Sequence, residues 1–394
     1  MRTTWEVRSL GDVCRIIGGG TPSKRVARYW QGEIPWVSPK DMKSDIVVDS
    51  IDHISEEAVE CSATSIIPKN AVLMVVRSGI LARIVPIAIT GRELAINQDI
   101  KAFCPCTDLN PRFLFHFFNS RMDDLLADVS RGATVHRLMV DQIRRLCVPL
   151  PPLSEQRRIV SILDEAFENI AVVNANAEKN LQTTRELFMS HLDCVFSQRG
   201  KEGTERVFSD VCEISSTLVD PQNEGFLDLL HVGGANIVSK TGELIGLKTV
   251  REEELISGKF FFDKTMVLYS KIRPYLMKVA RPDFQGLCSA DIYPLSAKQE
   301  LLDRNYLFYL LLSTIFTEYA IAGSARTGMP KVNRDHLFGF RFYLPKLVIQ
   351  EKIAAQLDAL SAETRCLESI YERKLAALDE LKKSLLHQAF TGQL

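Results

Sequence analysis

No stretch of this chain is long and oily enough to cross a bilayer: its most apolar run, Ile80 to Ile89, is broken by Arg83 and Pro86. The opening Met1-Arg2-Thr3-Thr4-Trp5-Glu6 lacks the apolar core of a secretion signal. A cytoplasmic protein with no membrane partner is therefore expected. Nine cysteines (14, 61, 104, 106, 147, 194, 212, 288 and 366) form an odd, scattered set, which suits buried reduced thiols better than a disulfide framework. Cys104-Pro105-Cys106 is the one close pair, and no second pair or spaced histidine follows to complete a metal site. Charge of one sign is also lacking, since 48 basic residues face 49 acidic ones. Any nucleic-acid binding must come from local patches.

Catalytic signatures are missing as well. Gly18-Gly19-Gly20 has no Gly-Lys-Ser/Thr ending, and no Gly-x-Gly-x-x-Gly opens a helix, so no nucleotide site is supported. The seven histidines never recur at i, i+4 around a glutamate, and there is no Gly-x-Ser-x-Gly elbow. Glu372-Arg373-Lys374 resembles the tail of a nuclease motif but lacks the preceding acidic partner. We expect no catalytic residue, no metal and no cofactor in this chain.

What the sequence does contain is itself, twice. At 394 residues it exceeds what one core organises. Leu150 to Asp164 aligns without gaps, at an offset of 194, onto Leu344 to Asp358, with seven of 15 positions identical. The same offset pairs Glu178 with Glu372, Leu187 with Leu381 and Phe196 with Phe390. Upstream the match is gapped, yet Asp12-Val13-Cys14 echoes Asp210-Val211-Cys212, and Phe113-Leu114-Phe115 echoes Tyr306-Leu307-Phe308. The order is a variable globular unit and then a shared helical one, repeated.

The shared segment carries apolar residues at alternating 4-3 spacing. In the first copy these positions run Ile159, Leu163, Ala166, Ile170, Val173, Ala177, Asn180, Thr184, Leu187, His191; in the second they run from Ile353 and Leu357 through Leu367, Tyr371, Lys374 and Leu381 to Leu385. Neither copy holds Pro or Gly, which predicts two long helices packed by knobs into holes. About 40 residues would span roughly 60 Å. Pro149, Pro151, Pro152 and Pro345 stop the helices extending backwards, with Ser154 available as an N-cap. An antiparallel pair would return the second helix to the first globular unit and relate the repeats by a pseudo-two-fold axis. Asn180 and Lys374, equivalent near mid-helix, either fix register or face solvent.

The boundaries read as 1–152 for a first globular domain, 153–199 for a central helix, 200–345 for a second globular domain and 346–394 for a C-terminal helix. Short β-rich runs (Ala71 to Val76, Ile84 to Ile89, Phe260 to Phe262, Met266 to Tyr269, Phe340 to Tyr343) alternate with helical stretches (Pro111 to Leu126, Asn305 to Ile321). That mixture predicts an α+β, mixed α/β fold. Basic residues concentrate in loops: Arg15 to Lys43, with Thr21, Lys24, Arg25 and Lys40; Lys259 to Arg281, with Lys271 and Arg273; and Gly323 to Lys331, with Arg326 and Lys331. One such loop is also what a solvated surface looks like. Two or more, rich in Ser, Thr, Gly and aromatics, suit phosphate contact and base reading.

Several segments closely resemble the specificity subunits of type I restriction-modification systems. They are Trp5 through Asp12, Gly18-Gly19-Gly20-Thr21-Pro22, Tyr29-Trp30, Ile34 to Asp41, Arg77-Ser78-Gly79, Asn97-Gln98-Asp99, Val148 to Gln156 and Ala389 to Gly392. The second unit departs from the pattern: it has no counterpart of Pro35-Trp36-Val37-Ser38, and Pro152 and Glu155 become Lys346 and Ile349. The resemblance implies a non-catalytic subunit with two target recognition domains, each reading half of a bipartite, asymmetric site on double-stranded DNA. Arg77 and Ser78 join the DNA-contacting candidates on this ground. It further implies that the paired helices, marked by Gln156 and Gln350, dock two methyltransferase subunits, with restriction subunits joining later. The partner would bind S-adenosylmethionine and flip the target adenine. The competing reading from the residues is a coiled-coil scaffold whose globular ends bind proteins without DNA specificity.

Overall fold

The computed structural model describes residues 5–132, 134–197, 203–214, 217–324 and 329–394. The chain divides into two compact units, Met1–Ala177 with Arg373–Leu394, and Glu178–Glu372. Each unit thus owns a globular body and a length of both long helices.

In the first unit a five-stranded sheet runs in the order Cys14–Gly18, Ile100–Pro105, Val72–Val75, Ile87–Thr90, Ile46–Val47, antiparallel except for its last pair. Val72-Leu73-Met74-Val75 is buried throughout, as a central strand covered on both faces must be. A four-stranded sheet (Asp52–Ile54, Ile34–Val37, Leu94–Ile96, Ile66–Ile67) stands beside it, and its parallel pair sets Ala95 opposite Trp36. Two ribbons complete the body: Glu6–Ser9 with Cys147–Leu150, and Arg77–Ser78 with His136–Arg137.

The second unit repeats the plan with altered sheets. Cys212–Glu213, Ile292–Ala297, Met266–Ser270 and Val279–Ala280 form a four-stranded sheet. Leu218–Val219, Lys259–Phe262, Gly286–Cys288, Leu230–Val232 and Lys248–Thr249 form a five-stranded one. Thr204–Val207 pairs antiparallel with Arg341–Leu344, as Glu6–Ser9 does with Cys147–Leu150. The weak echo at Asp12 and Asp210 is real: Leu10–Val13 and Phe208–Val211 are both single helical turns entering a strand.

Each predicted mid-domain helix is two helices. Pro111–Ser120 gives way to Met122–Ala127, and Arg304–Leu312 to Thr314–Ala322. At the second break Ser313 is extended and its side chain accepts a hydrogen bond from Phe316 N, starting a new helix inside an unbroken apolar pattern. Apolar periodicity alone could not show the cap.

The long helices are Leu153–Ser197 and Leu347–Phe390. Within each unit their segments run antiparallel. In the first, Arg158 Nη2 donates to the Leu394 carbonyl at 2.7 Å, and Ile159 and Leu163 share a core with Leu386 and Ala389. In the second, Arg185 Nε meets Glu368 Oε1 at 2.8 Å, and Leu192 shares a core with Ala354 and Leu357. The 4-3 stripe is not a continuous seam. Ile159, Leu163, Ile170 and Ala177 are buried, but Leu187 is 65% exposed and Leu192 takes the inward place. A straight helix drifts by about 20° per heptad, which rotates a strict seven-residue stripe off the contact. Asn180 and Lys374 are exposed, so neither is a buried register device. Ser154 is not the cap: the Pro152 carbonyl accepts from Glu155 N and Gln156 N, and the Lys346 carbonyl plays that part in the second copy. Among the described residues, no helix is long and apolar enough to cross a membrane.

Candidate nucleic-acid interface

In the first unit the glycine triplet is a packing device. A Cβ on Gly19 would run into the Ile96 and Asn97 carbonyl oxygens, and one on Gly20 into the backbone at Ala63. This close approach lets Gly20 N donate to the Ile96 carbonyl at 3.1 Å, while Trp36 Nε1 and Thr64 Oγ1 donate to the Gly20 carbonyl at 2.9 and 2.8 Å. Thr21, next in line and exposed, is thereby held against Gln98, whose Oε1 accepts from its hydroxyl. Asn97 Nδ2 donates to Asp99 Oδ2 at 3.1 Å, and the same carboxylate receives Arg77 Nε. Three segments far apart in sequence, around Thr21, Arg77 and Gln98, so converge.

Arg77 lies directly opposite Arg137 on the two-stranded ribbon. Both border a hollow of about 370 Å³ that also includes Gln98 and Asp141. Ser78 accepts a long 3.4 Å bond from Ile80 N and serves the turn rather than the hollow. Lys24 and Arg25 stand exposed on the loop before it, with the Lys24 ammonium 5.8 Å from the Trp30 ring. Lys40 is elsewhere, paired with Asp52 at 2.8 Å in an exposed contact of the kind worth little in water.

In the second unit Lys271, predicted as an exposed contact, is 9% exposed. Its ammonium donates to the Ala290 carbonyl, lies 3.6 Å from Asp291 Oδ1 and sits 5.1 Å from the Tyr293 ring centroid. Burial and the nearby Lys331 charge hold its pKa below the ordinary lysine range, against the pull of Asp291. Lys331 Nζ shares that carboxylate at 3.8 Å. Two cations about one half-exposed carboxylate leave a net positive patch. Arg273 is exposed, and its backbone is left-handed at φ +50°, fixed by a 2.9 Å bond from its N to the Pro330 carbonyl. Arg326 lies outside the described residues.

Gln156 and Gln350 do not offer docking surfaces. Both are fully buried, which removes them from any partner's reach. Gln156 Oε1 accepts from Asn110 N at 2.8 Å, and its Nε2 donates to the Asp108 and Pro151 carbonyls at 2.8 and 2.9 Å. Gln350 does the same with Asp303 N and the Leu301 and Pro345 carbonyls. About two turns on, Asp164 receives Arg112 Nε at 3.0 Å and His116 Nε2 at 2.7 Å; Asp358 receives Arg281 and the Tyr309 hydroxyl. Burial alone would raise each carboxyl, but these partners outweigh it and hold both below the usual carboxylate range. The identical residues of the repeat are thus the joints between helix and body.

Sequence reasoning passed over Arg137 and Arg334, the latter 6.0 Å from the Tyr293 ring. Arg137 is separated from Arg77 by sixty residues and belongs to no basic run. The signal that could have found it is the repeat, because the offset of 194 carries Arg137 onto Lys331. Among the described residues, no group of three His, Cys, Asp or Glu could hold a metal ion.

Residues 2–182 and 201–373 match the type I restriction modification DNA specificity domain. The chain is 34% identical over 194 residues to the Escherichia coli type I restriction enzyme EcoR124I/EcoR124II specificity subunit, a match spanning about half of each (49% and 48%). It is 30% identical over 420 residues to the MjaIX specificity subunit of Methanocaldococcus jannaschii, covering 99% of this chain and 93% of that one. A solved structure concerned with complex assembly and conformational transition of the type I R-M system shares the fold, with a TM-score of 0.76 at 18% identity over 99% of this chain and 98% of that one. With the family domain matched twice and a relative aligned end to end, the chain belongs to the type I restriction-modification DNA specificity family.

Proposed function

We propose that this chain gives a type I restriction-modification complex its DNA specificity, each unit reading one half of a bipartite, asymmetric double-stranded target. The observation that carries this reading is the same in both units: cations from segments distant in sequence brought together at one short antiparallel pairing, in a family of DNA specificity proteins. The bodies differ in side chains, so the half-sites differ. The paired helices carry two methyltransferase subunits and set the spacer between the half-sites, and restriction subunits join that assembly. S-adenosylmethionine belongs to the methyltransferase partner, which would take the adenine out of the stack.

The test is a unit exchange. Residues 1–152 are replaced by the counterpart of a relative, the chimera is co-expressed with its methyltransferase, and methylated adenines are mapped across the genome. One half of the methylated site should change while the other stays. Alteration of both halves would contradict the reading, and a chain with no salt-dependent DNA binding would favour a protein-binding scaffold instead.

A further inference from the structure

We propose that Arg137 and Lys331 occupy one and the same place in the two units and are their base-reading cations, one per half-site, each addressed to the N7/O6 edge of a guanine in the major groove. This rests on the DNA-reading function proposed above.

The equivalence is fixed by backbone bonds, not by sequence alone. In the first unit Val76 N donates to the Asp99 carbonyl at 2.8 Å and Leu138 N to the Val76 carbonyl at 2.9 Å. In the second Lys271 N donates to the Asp291 carbonyl at 3.0 Å and Val332 N to the Lys271 carbonyl at 2.8 Å. Asp99 therefore matches Asp291, Val76 matches Lys271, and Arg137 matches Lys331. The cross-strand neighbours then correspond too: Arg137 faces Arg77, and Lys331 faces Ile272.

Each place combines a fixed backbone with a loosely held side chain. Arg137 is bridged to Arg77 on one side and to Ser130 on the other, with Arg137 N and O bonded to Ser130 at 3.0 and 2.8 Å. Its exposed guanidinium makes no hydrogen bond or ion pair with any described residue. Among the described residues, Lys331 keeps only the long 3.8 Å contact to a carboxylate that it shares with Lys271. A side chain on a rigid base with an unspent charge suits sequence reading, whereas Lys24 and Arg25 on their loop suit phosphates. Beside Arg137 stands Gln98, held by Thr21; at the matching place beside Lys331 stands Ala290, which has no hydrogen-bonding side chain. A planar two-donor fork in one unit and a point charge in the other predict unequal stringency.

The experiment uses the full chain assembled with its methyltransferase subunit and selects bound duplexes from a randomised library. Arg137→Gln should cut preference at one base pair of one half-site by about 5- to 150-fold and leave the other half untouched. Lys331→Gln should do the same in the opposite half, with a smaller loss. Arg137→Lys should keep affinity for unrelated DNA and still blunt the preference. Retained salt-dependent binding to unrelated DNA shows that each variant is folded. Equal weakening on every sequence, an unaltered selected site, or loss in both halves from one substitution would each overturn the assignment. If the unsubstituted complex selects no sequence at all, the DNA-reading function itself fails, and this inference with it.

Discussion

The two units spend the same residues where body meets helix and different ones where the ribbon faces outward. A glutamine grips three backbone atoms in each, and an aspartate about two turns later receives a pair of donors in each. On the ribbon, Arg77, Arg137 and Gln98 in the first unit stand against Ile272, Lys331 and Ala290 in the second. Chemistry is held constant at the joint because the joint recognises the chain's own backbone. It varies at the ribbon because that surface recognises something else.

The sharpest way to break this comparison is at the joint. Gln156→Ala and Gln350→Ala each strand one half-buried N–H and two carbonyls, and each should cost about 2–4 kcal/mol. Chemical denaturation should show near-equal losses; a large inequality would mean that the joints are not the same device. Gly19→Ala comes next, at about 2–3 kcal/mol, since its Cβ meets backbone that cannot step aside. Its effect should stay in the first half-site, leaving preference for the second intact in a selection assay.

Acid sharpens the comparison further. Asp164 and Asp358 titrate below their unfolded value, so their stabilisation is complete at neutral pH and disappears as pH falls below about 4. Asp164→Asn should flatten the fall in melting temperature between roughly pH 5 and 2 relative to the unsubstituted chain. The smallest effect is expected from Arg185→Ala. Arg185 is 55% exposed against Glu368 and Glu372, and its loss should cost about 0.5 kcal/mol or less, diminishing with salt.

Much of this was legible in the sequence. The helices and their prolines show plainly because Leu, Pro, Gln, Ile and Asp recur at fixed offset, and those residues build the joint itself. The role of Gln156 was not legible: a polar residue at a helix start reads as surface, and only coordinates reveal three backbone partners around it. Lys271 failed similarly, since a basic loop residue reads as solvated whether or not an aromatic ring and an acid enclose it. Thr21, Arg77 and Gln98 were each visible as short motifs, but their convergence depends on strand register that no single segment encodes. Arg137 was hidden for the same reason.

Every hydrogen-bond partner of the Gln156 side chain at its joint is main chain: one amide and two carbonyls. Such a socket is blind to the side chains of whatever is plugged into it, provided the incoming turn folds to the same path. Grafting a foreign head onto this stalk therefore asks little of the helix, so new combinations of heads can arise by recombination without the fastening having to be reinvented.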